Sequence, residues 1–162
     1  MSASVYQVNV SPRGGIPKLP IEKGVVGRLG LEGDAVAHPK FHGGPRQALL
    51  LVCLEALEEL KAQGYSLFPG ALGENVTMVG IDRTSVRLGQ RYRIGTALVE
   101  VTKVRVPCRT LDVYGTTIQK QMYDPKVKAG DFTSPRWGLS GFYVSVPEPG
   151  EIRSGDIITL VG

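Results

Sequence analysis

At 162 residues the chain has the length of a single domain, expected to span residues 1–162, and its 42% hydrophobic content is enough to fill a core without a disulfide or metal staple. Lysine and arginine outnumber aspartate and glutamate by 19 to 15 with no basic run or tail, a balance that names no nucleic-acid partner and suits an anionic small molecule. The 21 glycines and 11 prolines fall short of a low-complexity composition and imply many turns between short elements.

In chain order, the pattern predicts strands over Val5–Val10, Gln47–Val52, Ser85–Leu88, Tyr92–Ile94, Ala97–Val106, Phe142–Val146 and Ile157–Val161. Phe142, Val144 and Val146 alternate with Tyr143 and Ser145, the period of a half-buried strand. Between Ala97 and Val106 the apolar parity changes from Val99 and Val101 to Val104 and Val106, which predicts a bulge near Thr102 or Lys103. One helix is predicted over 54–63, with Leu54, Leu57 and Leu60 as a stripe, Glu55, Glu58 and Glu59 early, Lys61 late and Gly64 as the stop. A shorter helix is expected after Thr116 or Thr117 and before Pro125, with Ile118 and Met122 one turn apart. Short strands, glycine turns and few helices predict a mainly β fold with minor α, a closed or nearly closed antiparallel β-barrel with the 54–63 helix packed outside its wall. The longest apolar run, Ala48 to Leu54, is too short to span a bilayer, and the N-terminus lacks a charged start followed by an apolar stretch. The expectation is a cytoplasmic protein with no membrane partner and two free thiols, Cys53 and Cys108.

Three segments carry candidate chemistry. In Val106-Pro107-Cys108-Arg109, proline ends a strand and leaves a cysteine beside a fixed cation, conditions that favour the thiolate, which attacks electrophiles and binds soft metals; the competing reading is a small buried hydrophobe. Cys53, between an apolar strand and the leucine-striped helix, reads as structural. Asp34, with His42-Gly43-Gly44-Pro45-Arg46, joins an acid, a base, two glycines and an arginine, the elements of an anion cradle; the alternative is an ordinary tight turn. Gly70 to Gly73 followed by Glu74 and Asn75 presents an acid and an amide ahead of a β segment. His38 and His42 have a zinc-like separation, but Pro39 keeps them off one helix face and no Cys-x-x-Cys accompanies them, so no structural zinc is expected.

Taken in order, Ser11 to Lys18, Gly30 to Asp34, His42-Gly43-Gly44, Pro69 to Asn75, Pro107-Cys108 and Gly155-Asp156 resemble the MOSC domain family, named after the C-terminal domain of molybdenum cofactor sulfurases. The resemblance implies a barrel similar to the pyruvate kinase barrel domain and a cleft for the molybdenum cofactor (molybdopterin). It implies that Cys108 is either the molybdenum ligand of an oxidoreductase reducing N-hydroxylated small molecules or the carrier of a persulfide sulfur, a third role being cofactor storage or delivery. Lys18, Arg46 and Arg109 would then neutralise phosphate, and Asn75 would hydrogen-bond pterin or substrate. His42, Gly43 and Gly44 would cradle the cofactor, and Asp34 or Glu74 would orient groups or move protons. Many relatives carry aspartate where this chain has His38. The electron or sulfur donor would be a separate protein. The three glycine-bearing segments and Cys108 are expected to meet in one concavity.

Overall fold

The computed structural model describes residues 2–35 and 43–162. Two sheets carry the fold. The larger is built from β1 (Ser4–Val10), β2 (Leu19–Ile21), β5 (Leu49–Cys53), β6 (Val76–Val79), β7 (Arg91–Ile94), β8 (Ala97–Val104), β9 (Phe142–Glu148) and β11 (Ile158–Leu160), in the order β11-β7-β8-β9-β5-β6-β1-β2. The smaller joins β3 (Lys23–Gly27), β4 (Gly30–Leu31) and β10 (Gly150–Arg153) in the order β10-β3-β4.

The class is mainly β with minor α, but the sheets are open and the expected closed barrel does not form. Strands β2 and β11 are the edges of the large sheet, each three residues long, and shortness is one of the ways a sheet keeps its edges from templating aggregation. One isolated bridge, Ser4 to Ile157, with backbone hydrogen bonds from the Val5 N–H to the Asp156 carbonyl at 2.8 Å and from the Ile158 N–H to the Ala3 carbonyl at 2.9 Å, ties the start of β1 to the start of β11 without forming a named strand pair. Nor is the pairing wholly antiparallel: β5 and β6 run parallel, because helix α1 (Leu54–Ala62) carries the chain back between them.

Strand β5 is buried at all five positions, as a central strand covered on both faces must be. Helix α1 lays Ala56, Leu57 and Leu60 on the core, with Leu54 partly buried against it. Cys53 stands at its N-cap position without a side-chain cap bond. The short helix α2 (Ile118–Met122) buries both Ile118 and Met122, and α3 (Pro125–Lys128) follows, its N-cap Asp124 accepting from the Val127 N–H.

Two predicted strands differ in a way that matters for the site. Ser85–Leu88 is not a strand: Asp82 accepts from the N–H of Thr84 and the hydroxyls of Thr84 and Ser85, and this local network holds Arg83–Ser85 as a 3₁₀ turn. The strand that begins at Ala97 stops at Val104, and its pairing with β9 shifts register between Val101 and Lys103, where the bulge was expected. The shift and the early stop reverse the expected facing. Arg105 is 3% exposed and Val106 is 45% exposed.

Candidate functional site

Where β5, the turn before β6 and the segment after β8 approach one another, they enclose a cavity of about 130 Å³. Its wall includes Gly15, Lys18, Asp34, Gly43, Gly73, Asn75 and Cys108, brought together from segments far apart in sequence. Gln47, Arg105, Thr110 and Tyr143 complete its polar lining.

Asn75 ties the strands beneath the cavity. Its N–H donates to the Leu50 carbonyl at 2.9 Å, its Oδ1 accepts from the Leu50 N–H at 3.1 Å, and its own carbonyl accepts from the Asn9 N–H at 2.8 Å. Its Nδ2 donates to Asp34 Oδ2 at 2.8 Å. Asp34 is a hub: Oδ1 accepts from the Ser11 N–H at 2.8 Å, while Oδ2 also pairs with Lys18 Nζ. The side chains of this pair are only 12% and 11% exposed. These contacts commit Asp34 to orienting its neighbours and leave the Lys18 charge balanced. The Lys18 backbone is held as well, its N–H donating to the Gly70 carbonyl at 2.9 Å. Gly70 has φ +95, and a Cβ there would stand 2.1 Å from the Lys18 carbonyl oxygen, so only glycine fits.

Glu74 does not line the cavity. It is wholly buried, with Oε1 accepting from the Leu72 N–H at 3.1 Å and Oε2 from the Gly70 N–H at 3.1 Å and the Thr77 hydroxyl at 3.0 Å. Its carboxylate ties the glycine turn together from inside. Burial pushes its pKa up, against the opposing pull of these hydrogen bonds. Arg46, Arg109 and Gly44 are exposed and lie off the cavity wall; Gly44 accepts from the Gln47 N–H at 3.0 Å in a turn. His38 and His42 lie outside the described residues.

Cys108 follows Pro107 and is the N-cap of a 3₁₀ turn over Arg109–Tyr114, its carbonyl accepting from the Leu111 N–H at 3.1 Å. Its sulfur is partly exposed and lies 2.8 Å from Thr110 Oγ1. Cys53 differs in every respect. It is 1% exposed, and burial, followed by the nearby Glu55 carboxylate, pushes its thiol up to about 12.

Four polar lining residues, Gln47, Arg105, Thr110 and Tyr143, are not among the candidates the sequence offers. A strand running on through Val106 with Val104 and Val106 inward would turn Arg105 outward, and the alternation with Phe142 and Val144 would turn Tyr143 outward. Both faces of β9 are covered at this point: Phe142, Tyr143 and Val144 are 1%, 6% and 0% exposed. Burial raises the Tyr143 pKa, Arg105 pulls it down and Cys108 raises it, so phenol, guanidinium and thiol share one electrostatic environment. The available signal was the arginine itself, a permanent cation two residues before a strand-ending proline.

A thiol, a buried guanidinium and a carboxylate already spent on lysine make a donor set for an anionic ligand with a soft centre. The chain is also similar to known proteins. The chain is 37% identical to protein YiiM of Escherichia coli strain K12 over 90 residues, 53% of this chain and 40% of that protein. It is 31% identical to the uncharacterized protein YflK of Bacillus subtilis strain 168 over 152 residues, 91% of this chain and 63% of that one. The chain thus spans less than two thirds of the length of these curated relatives. The crystal structure of YiiM from Geobacillus stearothermophilus shares the fold with a TM-score of 0.72 at 27% identity, over 99% of this chain and 75% of that one. The YUAD protein of Bacillus subtilis shares the fold with a TM-score of 0.72 at 24% identity, over 99% of this chain and 96% of that one. The MOSC domain model matches residues 38–159, a stretch that carries β5 to β10, Asn75, Arg105 and Cys108, and the chain belongs to the MOSC domain family.

Proposed function

We infer that the cavity binds the molybdenum cofactor through Cys108, and that the protein is an oxidoreductase reducing N-hydroxylated small molecules. The observation that carries this reading is the donor set: a partly exposed thiol in the same cavity as a buried guanidinium that no described carboxylate neutralises. A soft thiolate suits a high-valent soft-accepting metal, and a cavity with an excess positive charge suits an anionic pterin. Membership in the MOSC domain family supports the same assignment.

When bound, the cofactor supplies a metal centre that can exchange an oxygen atom and an electron pair with an N–O bond. The chain's own residues do the rest. Cys108 Sγ holds the group, with the Thr110 hydroxyl beside the sulfur to steady it. Lys18, its charge balanced by Asp34, offers N–H donors whose direction is set before any ligand arrives. Tyr143 lines the same cavity, and burial pushes its pKa up from the ordinary phenol value. Electrons would come from a separate donor protein.

The test is metal and pterin analysis, with mass spectrometry, of protein purified from a host that makes the cofactor. Stoichiometric molybdenum and pterin, lost in Cys108→Ser, with turnover of an N-hydroxylated substrate, is the expected result. Cyanide-labile sulfur on Cys108 without metal would replace this reading by a persulfide carrier. A loaded protein that never turns over would replace it by a storage or delivery module.

A further inference from the structure

We propose that Arg105 makes the cavity selective for ligands carrying an anionic oxygen beside Cys108, through the unpaired charge of its buried guanidinium. The inference rests on reading the cavity as a ligand site, and not on which cofactor fills it.

Three observations carry it. Arg105 is 97% buried, yet it forms no ion pair within 4.0 Å among the described residues, and its Nε has no hydrogen-bond partner. A buried cation is normally paired, because desolvation is costly and guanidinium cannot shed its proton. The cavity's one described carboxylate, Asp34, is already shared by Lys18, Asn75 and the Ser11 N–H and makes no ion pair with Arg105.

The guanidinium is also fixed. The Arg105 N–H donates to the Gly141 carbonyl at 2.9 Å, its carbonyl accepts from Ser140 Oγ at 2.6 Å, and Nη1 reaches the Ser140 carbonyl at 3.4 Å. Ser140 is itself fully buried. The 140–141 turn therefore grips the arginine at both ends, beside the cavity that Arg105 and Cys108 both line. A preorganised donor with an unmet charge is what an oxyanion replaces water to reach. The anionic oxygen can belong to the cofactor or to a free substrate, and the two sources are separable.

The test uses cofactor-free protein. Cys108 is alkylated with iodoacetate and with iodoacetamide under identical conditions of pH and ionic strength, and the ratio of the two rates is taken. Both reagents meet the same thiolate, so the ratio cancels thiolate fraction and reports the field acting on the reagent's charge. Arg105→Gln should lower the ratio about three- to tenfold, the range for one unit charge acting over a few ångströms in a partly screened cleft. Arg105→Lys should restore part of it. Inorganic phosphate should slow the iodoacetate reaction of the wild-type protein and leave that of Arg105→Gln unchanged. Phosphate binding followed by calorimetry before and after cofactor loading then names the source: lost on loading, the oxyanion is the cofactor's; retained, it is the substrate's.

Equal ratios in the wild type and Arg105→Gln would overturn the proposal. Should Arg105→Gln fail to unfold cooperatively, phosphate competition in the wild type decides, and no slowing overturns it. An absence of molybdenum in the purified protein would remove the oxidoreductase reading and leave these results standing.

Discussion

Replacing Asp34 by asparagine tests whether this carboxylate is the hub that orients the cavity. The carboxylate accepts from the Ser11 N–H and from Asn75 Nδ2, each at 2.8 Å, and pairs with Lys18. An asparagine keeps the shape but turns one of the two oxygens into a donor. With its oxygen toward Ser11, the new NH₂ faces Asn75 Nδ2 and Lys18 Nζ; flipped, it faces the Ser11 N–H, so either orientation sets donor against donor. A buried polar group left unsatisfied costs about 1–3 kcal/mol, and removing one partner of a buried ion pair about 3–5 kcal/mol. The side chains here are roughly a tenth exposed, and the Lys18 stem can swing toward water, which favours the low end of both ranges. The expected loss is about 2–4 kcal/mol, read as a lower urea midpoint at unchanged slope. Lys18→Met and the double variant complete a cycle, in which the two substitutions should couple by about 1 kcal/mol or more. A loss for Asp34→Asn within about 0.5 kcal/mol, or strictly additive substitutions, would refute the hub.

Cys53 should resist iodoacetamide in the folded protein: with its thiol pushed up to about 12, only about one molecule in ten thousand is thiolate at pH 8, and that one is shielded. Peptide mapping that finds Cys53 modified as fast as Cys108 would contradict this. Glu74→Gln should destabilise by about 1–3 kcal/mol at neutral pH, since an amide nitrogen would meet a backbone N–H. Because burial raises the folded-state pKa of Glu74, the folded chain holds that proton more tightly than the unfolded one; stability from this group is fully present below the unfolded value and is lost as pH rises through the folded one, a slope that denaturation at several pH values should find missing in Glu74→Gln. Gly70→Ala should cost more than an ordinary glycine substitution, since its Cβ would press on the Lys18 carbonyl, and a melting temperature equal to that of the wild type would show that the turn can yield.

The local sequence determined the elements whose cause is local. The leucine stripe and Gly64 mark α1, and the parity change marks the bulge of β8, whereas the strand ends at Val104, ahead of the stop expected at Pro107. Gly15, Gly43, Gly73 and Cys108 line one cavity, the convergence expected of the glycine segments and the thiol. Strand pairing is another matter. Alternation tells which face of a strand is apolar but not which strand lies beside it, so neither the parallel β5–β6 pair nor the place of β2 and β11 as edge strands of an open sheet could be read from the chain. The same gap hid Arg105. Parity assigned its side chain to solvent, and only the early end of β8, with the 140–141 turn closing over it, puts a charge inside. Asp34 and Glu74 show the limit for acids: one orients Lys18 and Asn75 and the other braces a glycine turn from within, roles set by which donors long-range packing brings to each oxygen.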